Sequence, residues 1–545
     1  MSNGQIGALA AVQLNALSPG AIGVLSASQM AALSNATVGG LSAATLNAMS
    51  AGQIGQFSAA QTAALTSTQL NGLSAGNLNA LNASSLTAAQ VKGLSATAIG
   101  NFTTAKFDSL VVPNLASLST SAVAGITVAQ LQSLSSSQIG QFTSAQLAAM
   151  TPSQNVVLTG NNPIEAEAAS MASGGALTYN DLLTILQSAA TGGMNAIKLQ
   201  GLQTLGADLN NGKSSGYTTT AYDQQIFDDV VDGNSANAYW HGGASTATAL
   251  GNLTSSSSVT QINELIGKWF LGTDLPSMNV SAGNVGASEP AAYQAVNAPL
   301  FNAGGPSYLD VNQGNTGDCY FLAALAETAK QDPSVIKNMI QSNGNNSYSV
   351  EFQINGKADY VTVNNELPVL QGGWQMANGA TEEFDNSTTL WSPLIEKAYA
   401  EVTEQTDVTP GASLNVNGNS YADISGGFGQ GLTEITGQAY TTYNTTANEA
   451  SSSTSAMLSA LQSALASGQD VIMGTSGLAA KGNLVAGHMF EVTGVNAAAG
   501  TVTLQNPWNG SGEDSGLAMA FTTSIAALEA DYVSFMATSG KSAMA

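Results

Sequence analysis

Apolar side chains recur along the first part of the chain at spacings that alternate between three and five residues: Ile6, Leu9, Leu14, Leu17, Ile22, Leu25, Met30 and Leu33. The period is eight. The register slips once, near Leu81 and Leu86, then resumes from Val91 and Leu94 through Leu147 and Met150. On one continuous α-helix, at about 100° per residue, eight residues would turn the apolar pair by about 80° each repeat. The stripe would wind round the rod and no single face could bury it. Period-two alternation is missing as well, which excludes strands.

A chain of short capped helices fits the pattern. In Leu25-Ser26-Ala27-Ser28-Gln29-Met30, Ser26 can cap the helix and Gln29, three residues on, can close a capping box. Leu25 and Met30 then occupy the two positions of a hydrophobic staple. The same arrangement recurs at Ser58/Gln61, Thr66/Gln69, Ser135/Gln138 and Thr143/Gln146. A two-turn helix cannot stand alone, so residues 1–152 are predicted to stack as a solenoid of short helices. The Ala/Ser/Gly/Asn-rich, nearly uncharged composition leaves a flexible low-complexity arm as the alternative.

Acidic and aromatic residues appear after this segment. Helical runs at Asp181–Ala190, Met194–Leu209, Tyr222–Val231 and Thr260–Leu271 predict a small all-α domain over 153–285. In it, His241 reads as a solvent-facing or packing histidine in a Trp-His-Gly-Gly turn. Over 286–545 helices mix with strands, an α+β pattern. Ser347–Ile354 and Tyr360–Val363 flank Asn355-Gly356 as a hairpin, and Val471–Gly474, Met489–Gly494 and Thr501–Leu504 are further strands.

Charge narrows the function classes. The 545 residues carry a formal net charge of −24, with 35 acidic residues against 11 basic ones, and every base is lysine. Phosphate backbones are gripped by clustered Lys and Arg, so no nucleic-acid partner is expected. No stretch approaches 18 continuous apolar residues, so no membrane insertion is expected either. The lone cysteine forbids an intrachain disulfide.

That cysteine stands in Gln313-Gly314-Asn315-Thr316-Gly317-Asp318-Cys319, at the junction of a glycine-bearing loop and an Ala/Leu-rich helix. Unpaired N–H groups at a helix start favour a thiolate and can hold a developing oxyanion. One of only two histidines, His488, opens the strand-like run Gly487-His488-Met489-Phe490-Glu491-Val492-Thr493-Gly494 and can serve as base. Asn506, in Asn506-Pro507-Trp508, can accept the imidazole N–H and fix its tautomer. Cys319, His488 and Asn506 are therefore the candidate catalytic set.

The three segments resemble the calpain protease core, whose motifs run Q-G-x-x-G-D-C, G-H-x-x-x-V-T-G and N-P-W in that order. Trp391–Ala400 with Tyr421–Gly427, and Tyr360–Val363 leading to Leu367-Pro368, resemble it too. The resemblance covers roughly 300–540. It implies a papain-like core of two subdomains with a cleft between them, an oxyanion role for Gln313, and a shielding role for Trp508 over the His–Asn bond. Tyr320 departs from the family's usual tryptophan after the cysteine. Asp310 matches an aspartate of one family calcium site, whereas Thr389 replaces the expected glutamate and Glu513 and Asp514 match a second site only loosely. Neither a metal nor a cofactor is therefore called for.

The expected function is a calcium-independent or weakly calcium-dependent cysteine endopeptidase that cleaves exposed protein segments through a thioester. The alternatives are a structural or adhesive repeat protein with a silent protease-like domain, and an acyl transferase on the same machinery. The repeats are expected to offer a platform to a surface or protein partner. A bacterial protein exported to the extracellular space without a signal peptide is the expected setting, with the cytoplasm as the alternative.

Overall fold

The computed structural model describes the chain apart from residues 83, 152–153, 155–156, 159–161, 173, 213–216, 279–290, 315, 371–388, 405–417, 446–450, 478–481, 509–516 and 543–545. It divides into two compact units: residues 1–219 with 253–262, and residues 220–252 with 263–545. The segment read as one small helical domain contributes to both. Among the described residues no helix is long and apolar enough to cross a membrane.

The first unit opens with a run of helices a turn or two long. Their N-caps fall at Ser18, Ser26, Ser34, Ser42, Ser50, Ser58, Thr66 and Ser74, eight residues apart. Capping boxes close at Ser26/Gln29, Ser50/Gln53, Ser58/Gln61 and Thr66/Gln69. The apolar pairs of successive repeats merge into one buried core from Ile6 to Leu158, which is what lets such short helices persist.

The capping glutamines have a second task. Gln61 Nε2 donates to Met30 O (3.2 Å) and Leu33 O (2.7 Å), and Gln69 Nε2 to Val38 O (3.0 Å) and Leu41 O (2.7 Å), 31 and 28 residues back. Each glutamine therefore ties its helix to the turn that leads into the helix three before it. Past the register slip, Gln90 reaches Thr62 O and Leu65 O, 28 and 25 residues back. That turn is shorter by three residues, the size of the slip. Longer helices follow at Pro163–Met171, Tyr179–Ala190 and Ala196–Asn211. Lys198 Nζ donates to the carbonyls of Ala189, Thr191 and Gly193, satisfying the C-terminal end of the second of these.

The second unit is mixed α/β. Strand β1 (Ala291–Ala295) pairs antiparallel with β5 (Glu366–Leu370). Strands β2 (Ile340–Ser342), β3 (Ser347–Ile354) and β4 (Lys357–Asn364) form an antiparallel sheet. Asn355 and Gly356 turn the β3–β4 hairpin with φ of 52° and 74°, the left-handed pair that a two-residue type I′ turn requires. Strands β6 (Tyr440–Asn444), β7 (Val471–Gly474), β8 (Met489–Asn496), β9 (Thr501–Gln505), β10 (Ala520–Ser524) and β11 (Ser534–Thr538) form the six-stranded sheet β10-β9-β8-β7-β11-β6. The helices are α1 (Cys319–Gln331), α2 (Pro333–Met339), α3 (Trp391–Val402), α4 (Gln430–Thr436) and α5 (Ser451–Ala466).

Two apolar cores of this unit flank the elements named above. One surrounds α1 and α3; the other joins α5 to the six-stranded sheet. Strand β8 serves both: Met489 belongs to the first, Phe490 and Val492 to the second. Residues 220–252 and 263–277 join the same unit. Tyr222 Oη lies 2.7 Å from Thr362 Oγ1, and Lys268 bridges Asp274 (2.6 Å) and Glu404. His241 is buried with its Nε2 4.0 Å from Glu404, so it packs rather than faces solvent.

Candidate active site

Cys319 is the first residue of α1, reached through a φ −103°, ψ 24° turn at Asp318. Two features hold the loop before it. Gln313 N–H donates to Pro507 O (2.9 Å), and Gly426 N–H donates to Gly317 O (3.0 Å). The first bond ties the cysteine loop to the Asn506-Pro507-Trp508 segment, and the second ties it to the Tyr421–Gly427 segment.

His488 immediately precedes β8. Its backbone N–H donates to Thr475 Oγ1 (2.9 Å) and its carbonyl accepts Thr475 N–H (2.9 Å), which pins it beside the end of β7. The ring lies edge-on to Phe490 at 5.1 Å between centroids and tilted over Trp508 at 4.8 Å. Nε2 is 2.9 Å from Asn506 Oδ1. The following residue, Met489, places its backbone N–H on the Cys319 sulfur, joined there by the N–H groups of Cys319 and Tyr320. The structure thus brings the thiol, the imidazole and the asparagine to one place. Trp508 lies against the imidazole.

Gln313 is buried beside them with its amide turned into the cysteine loop: Nε2 donates to Thr316 O at 2.7 Å, with Asp318 Oδ1 at 3.5 Å. Asp310 accepts the Trp391 indole N–H (2.9 Å) and the Ser307 N–H (2.9 Å), both internal contacts that fasten α3 to the loop before α1. Thr389 is buried; Glu513 and Asp514 lie outside the described residues. Among the described residues no group of three His, Cys, Asp or Glu is arranged to hold a metal ion.

The electrostatics differ from the expected thiolate. Burial pushes the Cys319 thiol up to about 12, against the pull of its three N–H neighbours. Burial likewise drives His488 down to about 4, with the Asn506 hydrogen bond acting the other way. Helix-start donors lower a thiol's pKa, and burial in apolar surroundings raises it. Here desolvation wins, and both groups are neutral near pH 7.

Sequence reasoning missed three features. One is the Met489 N–H at the sulfur, which no residue type announces. Another is Phe428, 44% exposed, whose ring edge lies near Gly474 beside Met489. The third is Glu491, a carboxyl in the buried first half of β8, signalled by a charge inside the apolar run after His488.

A thiol at a helix start, with an imidazole at a strand start held by an asparagine, has the make-up of the Cys-His-Asn variant of the triad. Residues 290–517 match the family described as calpain family cysteine protease and constitute a calpain family domain. Human calpain-12 is 27% identical over 228 residues, covering 38% of this chain and 28% of that protein. Calpain clp-4 of Caenorhabditis elegans is 26% identical over 39% of this chain and 29% of its own length. The calpain-type cysteine protease DEK1 of Arabidopsis thaliana is 26% identical over 38% of this chain and 9% of its own. The chain thus spans less than a third of the length of these curated relatives.

Proposed function

We propose that this protein is a cysteine endopeptidase acting on exposed protein segments, with Cys319 as nucleophile, His488 as general base and acid, and Asn506 as the group that orients the imidazole. The observation that carries this reading is the Met489 N–H on the Cys319 sulfur, which brings the thiol to the backbone of the residue after His488, whose imidazole Asn506 holds at 2.9 Å.

Because the free site is neutral, the thiol gives its proton to His488 as sulfur attacks the scissile carbonyl carbon. The oxyanion is received by the Cys319 N–H, with the Gln313 amide as second donor once it turns from Thr316. The imidazolium then protonates the departing amine as the C–N bond breaks, leaving a thioester. Water, deprotonated by His488, attacks that thioester and releases the acid and the thiol. No step needs a metal. Trp508, over the imidazole, keeps water from competing for Asn506.

The alternative, a silent domain serving a repeat protein, draws on one observation: the thiol and imidazole are both held neutral. Labelling with an epoxide thiol inhibitor separates the two. The protease reading expects one adduct on Cys319 and hydrolysis of casein that Cys319→Ala abolishes. Casein left intact by the wild type, with no adduct formed, would establish the silent reading. We further propose that the helical repeats present a partner surface and that the protein acts outside the cell. Export measured with and without the repeats tests both.

A further inference from the structure

Three carboxyl groups lie in the layer between α1, which begins with Cys319, and β8, which follows His488. Glu327 sits on α1, Glu491 on β8 and Asp470 just before β7. Glu327 is 0% exposed and Glu491 1% exposed. The alternation along β8 turns Glu491 to the same side as Met489, toward α1, while Phe490 and Val492 face α5.

Lys330 is the ammonium that meets this layer. Its Nζ is 3.4 Å from Glu327 Oε2 and donates to Thr493 O at 3.2 Å, so it clamps α1 to β8 two residues beyond Glu491. Gln331 Nε2 donates to Glu327 Oε1 (2.6 Å) and Thr328 Oγ1 to Asp470 Oδ2 (2.8 Å). Glu491 Oε2 has no hydrogen-bond partner among the described residues. The remaining neighbours add little charge: α5 carries no titratable residue, Glu491's cross-strand partners are Gln505 and Ile472, and Asp332 bears on Asp470.

Carboxyl groups sharing a dry layer cannot all ionise without great cost, and one ammonium can neutralise only one of them. Burial, with Asp470 adding to it, holds Glu327 up to about 8, and burial with Glu327 nearby holds Glu491 well above the ordinary carboxyl range.

We propose that Glu327 and Glu491 are a positioning pair that retains a proton between them, and so keeps the nucleophile helix at the spacing from the base strand that lets Cys319 meet His488. Loss of that proton sets two carboxylates against each other across the layer and opens the gap. The consequence for catalysis rests on the protease reading above; the consequence for stability does not.

Glu491→Gln keeps the shape and removes the charge, with Glu327→Gln as a second variant should the first fail to fold. Thermal midpoints from pH 5 to 9 are compared with pH profiles of kcat and KM. Between the ordinary carboxyl range and about 8 the folded chain binds more protons than the unfolded one, so wild-type stability should fall as pH rises. The variant should show a clearly flatter slope. Its kcat should hold at least one pH unit further into alkali than the wild type's, with KM unchanged. Coincident slopes and coincident alkaline limbs would overturn the proposal. A flatter slope in a protein that hydrolyses nothing would instead sink the protease reading and leave the proton-holding pair standing.

Discussion

His488 Nε2 lies 2.9 Å from Asn506 Oδ1, and the same oxygen accepts the Trp508 backbone N–H at 3.1 Å. A backbone N–H can only donate, so the atom it meets is the amide oxygen. That oxygen in turn requires a hydrogen on Nε2, which leaves Nδ1 as the base. Asn506→Ala releases the ring and should lower kcat/KM by about 10- to 100-fold, part of the roughly 10²–10⁴-fold that a positioned base supplies. The effect should fall on kcat, with KM little changed. An unaltered kcat would show that the asparagine does not orient the base.

Burial, which drives His488 down to about 4 and Cys319 up to about 12, gives the site an unusual pH signature. Across the intervening range the free enzyme holds a neutral thiol and a neutral imidazole. Alkylation of Cys319 by iodoacetamide should be slow at pH 7 and rise steadily into alkali. A rate flat from pH 5 to 8 would mean a thiolate–imidazolium pair and would refute the neutral site.

The same imidazole makes a stability prediction at acid pH. Its folded-state value is depressed, so between about 6.5 and 4 the unfolded chain binds the extra proton and the folded one does not. Stability should therefore fall as pH drops through that window, by up to about 3 kcal/mol. His488→Gln should remove that part of the acid slope in thermal unfolding, and an unchanged slope would mean that the imidazole is not buried in solution.

Much of this was legible in the residues. Ser26 and Gln29 announced a capping box, and the eight-residue period excluded a single helix, so the run of short stacked helices followed. Cys319, His488 and Asn506 could be named because each sits beside a glycine loop, a strand start or a turn that presents it. What the sequence hid was three-dimensional desolvation. The helix start suggested a thiolate, but a thiol's charge depends on how much water the fold leaves around it, and no local pattern encodes that. Residues 220–277 looked like part of a separate helical domain, yet Trp269 O accepts from Thr362 and Lys268 pairs with Glu404, contacts at separations of 93 and 136 residues. Pairings that remote leave no periodic trace.

Gly427 marks a close approach behind the nucleophile helix. A Cβ there would run into the Tyr320 ring and the Gln430 amide nitrogen. Tyr320 cannot yield freely, since its hydroxyl donates to Tyr399 Oη (3.3 Å) and Tyr399 stacks on Phe321 at 3.8 Å. Gly427→Ala should cost about 1–3 kcal/mol as overpacking. It should also depress kcat, because the displaced ring belongs to the residue after Cys319. Chemical denaturation together with single-turnover rates would check both, and wild-type values for each would show that Tyr320 moves without resistance.

The repeats carry a prediction of their own. Gln69 accepts the Thr66 N–H through Oε1 (2.7 Å) and donates through Nε2 to Val38 O and Leu41 O, so one side chain serves both its own helix and the turn beneath. Gln69→Ala removes the glutamine donor from Leu41 O and one of the donors from Val38 O together with a cap, a loss of about 1–3 kcal/mol. Gln138 makes the same local contact with Ser135 at 2.7 Å but is only half-buried, so Gln138→Ala should cost less, within about 1 kcal/mol. Hydrogen exchange should then separate cap from ladder. In Gln69→Ala, protection should fall at the neighbouring turn around Val38 and Leu41 as well as at residues 66–72. Loss confined to residues 66–72 would mean that the turns are held together by apolar packing alone, with no contribution from the glutamine ladder.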